Sequence, residues 1–297
     1  AVRAVVNGVL GDYLSETNNP LAIQMRLRVW PKEGMDGPAG GSRKLLLMVH
    51  GSCMNDRQWL QAGHDHGVSL ARDLGYELAY LHYNSGQHTS TNGREFALQL
   101  EKLVSGWPTP IDDISIVGHS MGGLVTRSAC HIAEVEGLAW RAKLGSLVFL
   151  GTPHHGAPLE RGGNVVDVLL GISSYSKPLA RLGKIRSAGV TDLRFGNVLD
   201  EDWRQQDRFA LAGDTRVPLP LPEGVQCFAL AGTLSSDLAG KLRSDGLVPV
   251  DSALGRSEKR EFDLAFPEAH TSIVTGAGHL DLLSKAEVYQ TLRLWLA

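Results

Sequence analysis

The sequence predicts an α/β protein: a mostly parallel sheet flanked by helices, with a helical cap or lid inserted into it. Three observations carry this expectation. Apolar runs such as KLLLMVH (44–50) and SLVFLGT (146–152) have the unbroken character of strands buried on both faces, as in parallel sheets. Stretches of helical spacing alternate with them. The alternation then stops over 156–224, where helix-like pieces and the Pro-rich exit VPLPLPEG take over.

In chain order, MRLRVW (25–30) alternates and reads as a strand with one exposed face. PKEGMDGPAGGS (31–42), crowded with Gly and Pro, is a loop before the buried strand KLLLMVH. A helical pattern at 68–74 leads to a second strand, ELAYLHY (77–83). NGREFALQLEKLV (92–104) has helical apolar spacing with Asn92 as its cap, and GWPTP ends it. DISIVGHS (113–120) is a strand entering a glycine-rich turn, and MGGLVTRSACHIAEVEG (121–137) is a helix closed by glycine. SLVFLGT follows as a strand. Beyond it, 165–171 and 177–182 are helix-like, and 156–224 as a whole reads as a cap within one domain spanning 1–297. VQCFALAGT (225–233) resumes the sheet, 271–275 is strand-like, and KAEVYQTLRLWL (285–296) is the final helix.

Composition sets the limits. A chain of 297 residues with a hydrophobic fraction of 43% can bury a sizeable core. Its 29 Lys and Arg against 32 Asp and Glu leave a charge of −3, which removes the electrostatic footprint of a nucleic-acid binder or a polybasic membrane anchor. No apolar run reaches the ~18 residues of a transmembrane helix. Cys53, Cys130 and Cys227 are odd in number and widely spaced, which argues for buried free thiols over a disulfide framework. The 34 glycines follow no G-X-Y period and belong in tight turns. The first residue is Ala1 and no signal-type apolar region follows, so the N-terminus reads as processed or trimmed and a cytoplasmic location is expected.

The strongest local signal is GHSMG (118–122), a G-x-S-x-G between a predicted strand and a predicted helix. A turn that tight holds Ser120 in strained geometry, and Gly118 and Gly122 lack side chains where strand and helix crowd together. The Met121 amide then points where negative charge develops, at the positive end of a helix dipole. A serine hydroxyl needs a base, and the base needs an orienting acid. On a sheet of this kind the order along the chain is Ser, acid, His.

Downstream of Ser120 stand His131, His154, His155, His270 and His279. His131 falls on the helix after the nucleophile. His279 sits in GAGHLDLL, a glycine-rich loop between 271–275 and the last helix, where a base reaches over the sheet edge; His270 is the runner-up. For the acid, RSDGLVPVDSA puts Asp245 in an S-D-G turn after a strand, with Asp251 as the alternative and Asp281 assigned to the final helix. The second oxyanion donor is expected from VHGSCMND (49–56): His50-Gly51 makes a tight exit, and the amide of Ser52 faces the nucleophile.

VHGSCMND, GHSMGG, LGTPHHGAP, SDGLVPVDSA and GAGHLDLL together resemble the α/β-hydrolase superfamily, in particular the bacterial lipase/esterase branch that includes PGAP1-like hydrolases. The resemblance covers roughly 44 to the C-terminus. It implies Ser120 as nucleophile, Asp245 as acid, His279 as base, and the Ser52 and Met121 amides as the oxyanion hole. It implies no cofactor. Bacterial true lipases often hold a structural calcium partly through an Asp two residues beyond the base, a place Asp281 fills without a convincing partner loop. The part before Lys44 lies outside the resemblance, and VVNGVLGDYL reads as the remnant of a longer N-terminal region.

His154 and His155, at a strand end beside the elbow, are candidate substrate contacts. His64 and His66 form too small a set for a metal. Leu169, Leu170, Leu179, Leu182 and Trp203 are expected to pack the cap on the sheet. The function expected is carboxylic-ester hydrolysis through an acyl-enzyme on a small or lipid-like ester. Amide hydrolysis and acyl transfer by the same triad are the alternatives. A non-catalytic binding role is disfavoured, since every catalytic position is filled.

Overall fold

The computed structural model describes residues 2–30, 41–157, 187–204, 213–236 and 244–297. Its strands are β1 (Arg26–Trp30), β2 (Lys44–Val49), β3 (Glu77–His82), β4 (Asp113–His119), β5 (Leu144–Leu150), β6 (Gln226–Thr233) and β7 (Thr271–Thr275). They form one sheet in the order β1-β3-β2-β4-β5-β6-β7. β1 runs antiparallel to β3 at one edge, and the remaining pairings are parallel.

The helices explain the burial of the strands. α1 is Val2–Glu16, α2 His66–Leu74, α3 Thr89–Ser105, α4 Met121–Glu136, α5 Ala188–Asp192, α6 Val250–Ala253 and α7 Ala286–Leu296. On β2, Leu45, Leu47 and Val49 point into a core shared with α3 and α4. Leu46 and Met48 point the opposite way, into a core shared with α2 and α7. Alternate residues thus serve two hydrophobic layers, which is why the run has no polar gaps. Gly137, in the left-handed region at φ +67°, closes α4 as expected.

The chain leaves β2 toward β3 on one side, while β4 lies on the other. Loops after β2 and β4 therefore diverge, and the carboxyl ends of these neighbouring strands open a crevice at a topological switch point. Both GHSMG and VHGSCMND fall there.

Two expectations need amending. Asn92 does not cap α3: the helix begins at Thr89, whose N–H is taken by Asp192 Oδ2 at 2.7 Å, while Asn92 donates to the Asn84 carbonyl. Asp281 does not serve the last helix; its Oδ2 accepts from the Gly278 amide at 2.8 Å. The N-terminal segment is a helix packed into the body of the protein, with Val5 and Val9 against Val190 of α5. The expected cap pieces at 165–171 and 177–182, and Leu169, Leu170, Leu179 and Leu182, lie outside the described residues. The three cysteines are free and buried. Among the described residues, no helix is long and apolar enough to cross a membrane.

Candidate active site

Ser120 stands between the end of β4 and the start of α4 with φ +54° and ψ −127°. A non-glycine residue held there costs of order 1–3 kcal/mol, so the surroundings must enforce it. They do so by close approach. A Cβ on Gly122 would lie 2.3 Å from the Val49 carbonyl oxygen, and one on Gly118 would lie 2.7 Å from Gly123 Cα. The Ser120 amide donates to the Leu150 carbonyl at 2.9 Å, tying the elbow to the neighbouring strand.

Asp245 and His279 come from loops that follow β6 and β7. His279 Nδ1 lies 2.6 Å from Asp245 Oδ2, and both side chains are buried. Asp245 Oδ1 accepts from the amides of Leu247 and Val248 at 2.9 and 2.8 Å. Burial alone would raise the Asp245 carboxyl, but His279 and those two amides outweigh it and hold the pKa below its ordinary value. The backbone repeats the pairing, since the His279 amide donates to the Asp245 carbonyl at 3.0 Å. With Nδ1–H directed at the carboxylate, Nε2 is left as a bare acceptor, and it is buried without a partner.

The candidate oxyanion side lies on the loop after β2. A Cβ on Gly51 would stand 3.0 Å from Ser120 Cβ, so this loop touches Ser120. His50 Nδ1 donates to the Gly51 carbonyl at 2.9 Å, and Tyr83 Oη donates to the His50 carbonyl at 2.8 Å. Fixing the Gly51 carbonyl fixes the plane of the Gly51–Ser52 peptide, and with it the direction of the Ser52 N–H. Burial drives His50 down to about 4, so the ring is neutral and keeps this role at neutral pH. Cys53, at φ +59°, donates its N–H to Ser85 Oγ at 2.9 Å. α1 presses on it from outside: a Cβ on Gly8 would meet Cys53 Sγ at 2.3 Å. Met121 supplies the first amide of α4, a position without an intrahelical acceptor.

A family model for the PGAP1-like alpha/beta domain matches residues 41–218. The chain belongs to the PGAP1-like family. The match takes in Ser120 and the loop after β2, and it ends before Asp245 and His279. Among solved structures, the mature form of the Bacillus licheniformis lipase BlEst2 is similar at 16% identity, covering 92% of this chain and 98% of that one, with a TM-score of 0.58. Its propeptide form is similar at 20% identity, covering 91% of this chain and 53% of that one, with a TM-score of 0.53. These likenesses place the PGAP1-like chain in the α/β-hydrolase fold. A search of curated protein sequences found no match.

Other candidates of this PGAP1-like domain stand elsewhere. His270 precedes β7, at the opposite end of that strand from His279, and its Nδ1 meets the Cys227 carbonyl at 3.1 Å. Asp251 is exposed and faces Arg256. His154 is fully buried against Phe149, Phe266 and Arg127, and His155 beside it also faces Arg127 and Arg216. His64 Nε2 and His66 Nδ1 bond each other at 2.8 Å, and His66 Nε2 donates to the Leu282 carbonyl at 3.1 Å. Both histidines thus brace the turn after His279, and among the described residues no group of three ligands could hold a metal. Asp281, the residue matching the calcium position of bacterial true lipases, accepts from the Gly278 amide through Oδ2. Two residues of this site went unassigned in the sequence, His50 and His119. Each lies inside a motif, but its partner is a backbone carbonyl that no spacing rule reveals.

Proposed function

We propose that the protein is a serine carboxylic-ester hydrolase of the esterase/lipase kind, working through an acyl-enzyme without a cofactor. The observation that carries this reading is the buried Asp245–His279 pair, with His279 Nε2 left bare and its ring 4.7 Å from that of His119, the residue before a serine in the left-handed region. His279 Nε2 takes the Ser120 Oγ proton as the oxygen attacks the ester carbon. Ser52 and Met121 amides receive the developing oxyanion, each worth ~2.7–4 kcal/mol in the transition state. The proton passes to the leaving alcohol, and Ser120 is left acylated. Water then gives its proton to His279, attacks the acyl carbon and releases the acid, restoring Ser120. Asp245 stays ionised throughout, stabilising the imidazolium.

The substrate is a small or lipid-like ester, in keeping with the naming of the similar solved structure as a lipase. The test is hydrolysis of p-nitrophenyl esters of increasing acyl length, together with labelling by a fluorophosphonate probe. Ser120→Ala is expected to abolish both while the far-UV spectrum and melting temperature stay as in the wild type. Turnover retained by that variant would overturn the reading.

A further inference from the structure

We propose that His119 is a positioning residue of this site: its Nε2–H, donated to the His279 carbonyl, ties the base to the strand that carries the nucleophile. The proposal rests on the Ser120–His279–Asp245 reading above.

The topology creates the need for such a tie. The base loop leaves β7, and β7 is separated from β4 by β5 and β6. His279 must reach back across the ends of two strands to serve Ser120. Gly151, at the end of β5, lets it pass: a Cβ there would sit 3.2 Å from both Cε1 and Nδ1 of His279. Asp245 holds His279 through ring and backbone, but Asp245 belongs to the loop after β6, on the same side of the crossing. Asp245 therefore fixes which way the ring faces without fixing how far it stands from Ser120. His119 is covalently next to Ser120, and its Nε2 lies 3.1 Å from the His279 carbonyl oxygen. Among the described residues this is the hydrogen bond that runs from the end of β4 to the base.

The surroundings of His119 suit that task. A carbonyl only accepts, so Nε2 carries the hydrogen and Nδ1 is bare, and Nδ1 is buried without a partner. The bare nitrogen faces Gly51, where a Cβ would come within 3.1 Å of it. Trp59 meets the ring edge-on at 6.3 Å between centroids, and the His279 ring lies 4.7 Å away. His119 is 1% exposed, and burial, reinforced by His279 and His50 against the opposing pull of Asp245, pushes its pKa down to about 3. A neutral ring adds no positive charge beside the imidazolium that forms during turnover.

The two nitrogens of a histidine are mimicked by different amides. Glutamine places its NH2 near the Nε2 position, asparagine near Nδ1. His119→Gln is expected to keep kcat within a few-fold of the wild type. His119→Asn and His119→Leu are expected to lose roughly 10- to 100-fold in kcat, the cost of misplacing reacting groups by about 1 Å. KM should stay within about twofold in all three, because the acyl site is untouched. Equal kcat in the Gln and Asn variants, whether both high or both low, would overturn the proposal. If the variants do not fold, 15N-histidine spectra of the wild-type protein decide: a neutral ring protonated at Nε2 supports the proposal, and one protonated at Nδ1 sinks it. An active Ser120→Ala enzyme would remove the underlying triad, whereas an inactive one with equal Gln and Asn variants would remove only the role of His119.

Discussion

Asp245 divides its two oxygens between different partners: Oδ2 takes His279 Nδ1 at 2.6 Å, and Oδ1 takes the Leu247 and Val248 amides. The division decides what an amide would do in its place. In Asp245→Asn the two backbone donors retain the side-chain oxygen, so the NH2 turns toward His279. The imidazole must then accept at Nδ1 and carry its hydrogen on Nε2, the wrong tautomer for a base. A fall in kcat of about 10⁴-fold is expected, the size of the wrong-tautomer effect in a Ser-His-Asp triad. Steady-state kinetics on a p-nitrophenyl ester measure it, and a kcat within tenfold of the wild type would contradict the assignment of Asp245.

Backbone rather than side chain is what matters at the loop after β2. Among the described residues the Ser52 hydroxyl makes only a 3.8 Å contact to Cys53 Sγ, so Ser52→Ala is expected to leave kcat within about twofold. Gly51→Ala places a methyl 3.0 Å from Ser120 Cβ and 3.1 Å from His119 Nδ1. The loop must retreat, taking the Ser52 amide with it, and the loss of one oxyanion donor is worth about 10²–10³ in kcat. Comparing kcat for the two variants tests the claim, and it fails if Ser52→Ala is the more damaged.

α1 acts on the same loop from outside. Gly8→Ala would normally favour a helix by roughly 0.5–1 kcal/mol. Here the new methyl meets Cys53 Sγ at 2.3 Å and Cys53 Cα at 2.9 Å. Cys53 follows Ser52 directly, so the displacement reaches the oxyanion amide. A reduced kcat is expected from Gly8→Ala, partly restored by adding Cys53→Gly, which removes the sulfur and accepts the positive φ of that position. No recovery in the double variant would mean that α1 does not act through Cys53.

These particulars also show where a sequence is legible. β2 and β5 could be read because strands buried on both faces have no polar residues to confuse the pattern. Gly118 is legible because the crowding it relieves lies within the elbow, at Gly122 and Gly123, whereas Gly122 makes room for Val49 and His50 at the end of another strand and is legible only through the motif. α1 could not: Gly8 and Gly11 weaken its helical signature, and they are glycines because Cys53 and Asn84, far along the chain, press against them. The start of α3 is hidden from the sequence for a similar reason, its first amide being capped by Asp192 from over a hundred residues away. The same holds for His50 and His119, whose hydrogen bonds end on main-chain carbonyls. Ser120, Asp245 and His279 are candidates on motif and chain order alone, whereas what holds each in place is set by contacts between residues far apart along the chain.

Burial of neutral histidines gives the protein a definite response to acid. Burial lowers His50 and His66 to about 4 and His119 to about 3, and carries His154 well below its ordinary value. Each folded pKa is thus depressed below the ~6.5 of an unfolded chain. Above pH ~6.5 neither state is protonated and the fold has its full stability. As pH falls through 6.5 toward 4, the unfolded chain binds protons that the fold refuses. Each such histidine then steepens the loss by about 1.4 kcal/mol per pH unit. Asp65, Glu95 and Asp113, raised mainly by burial, work in the opposite direction, so the total slope mixes both. Replacing one histidine isolates its share. His66→Gln keeps an NH2 for the Leu282 carbonyl, the bond His66 makes at 3.1 Å, and removes the titrating group. Urea unfolding of wild type and variant between pH 7 and 4.5 should show parallel stabilities above pH ~6.5. Below it, the variant should lose stability more slowly, by about the slope of one histidine. Parallel curves over the whole range would show that His66 is not held neutral in the fold.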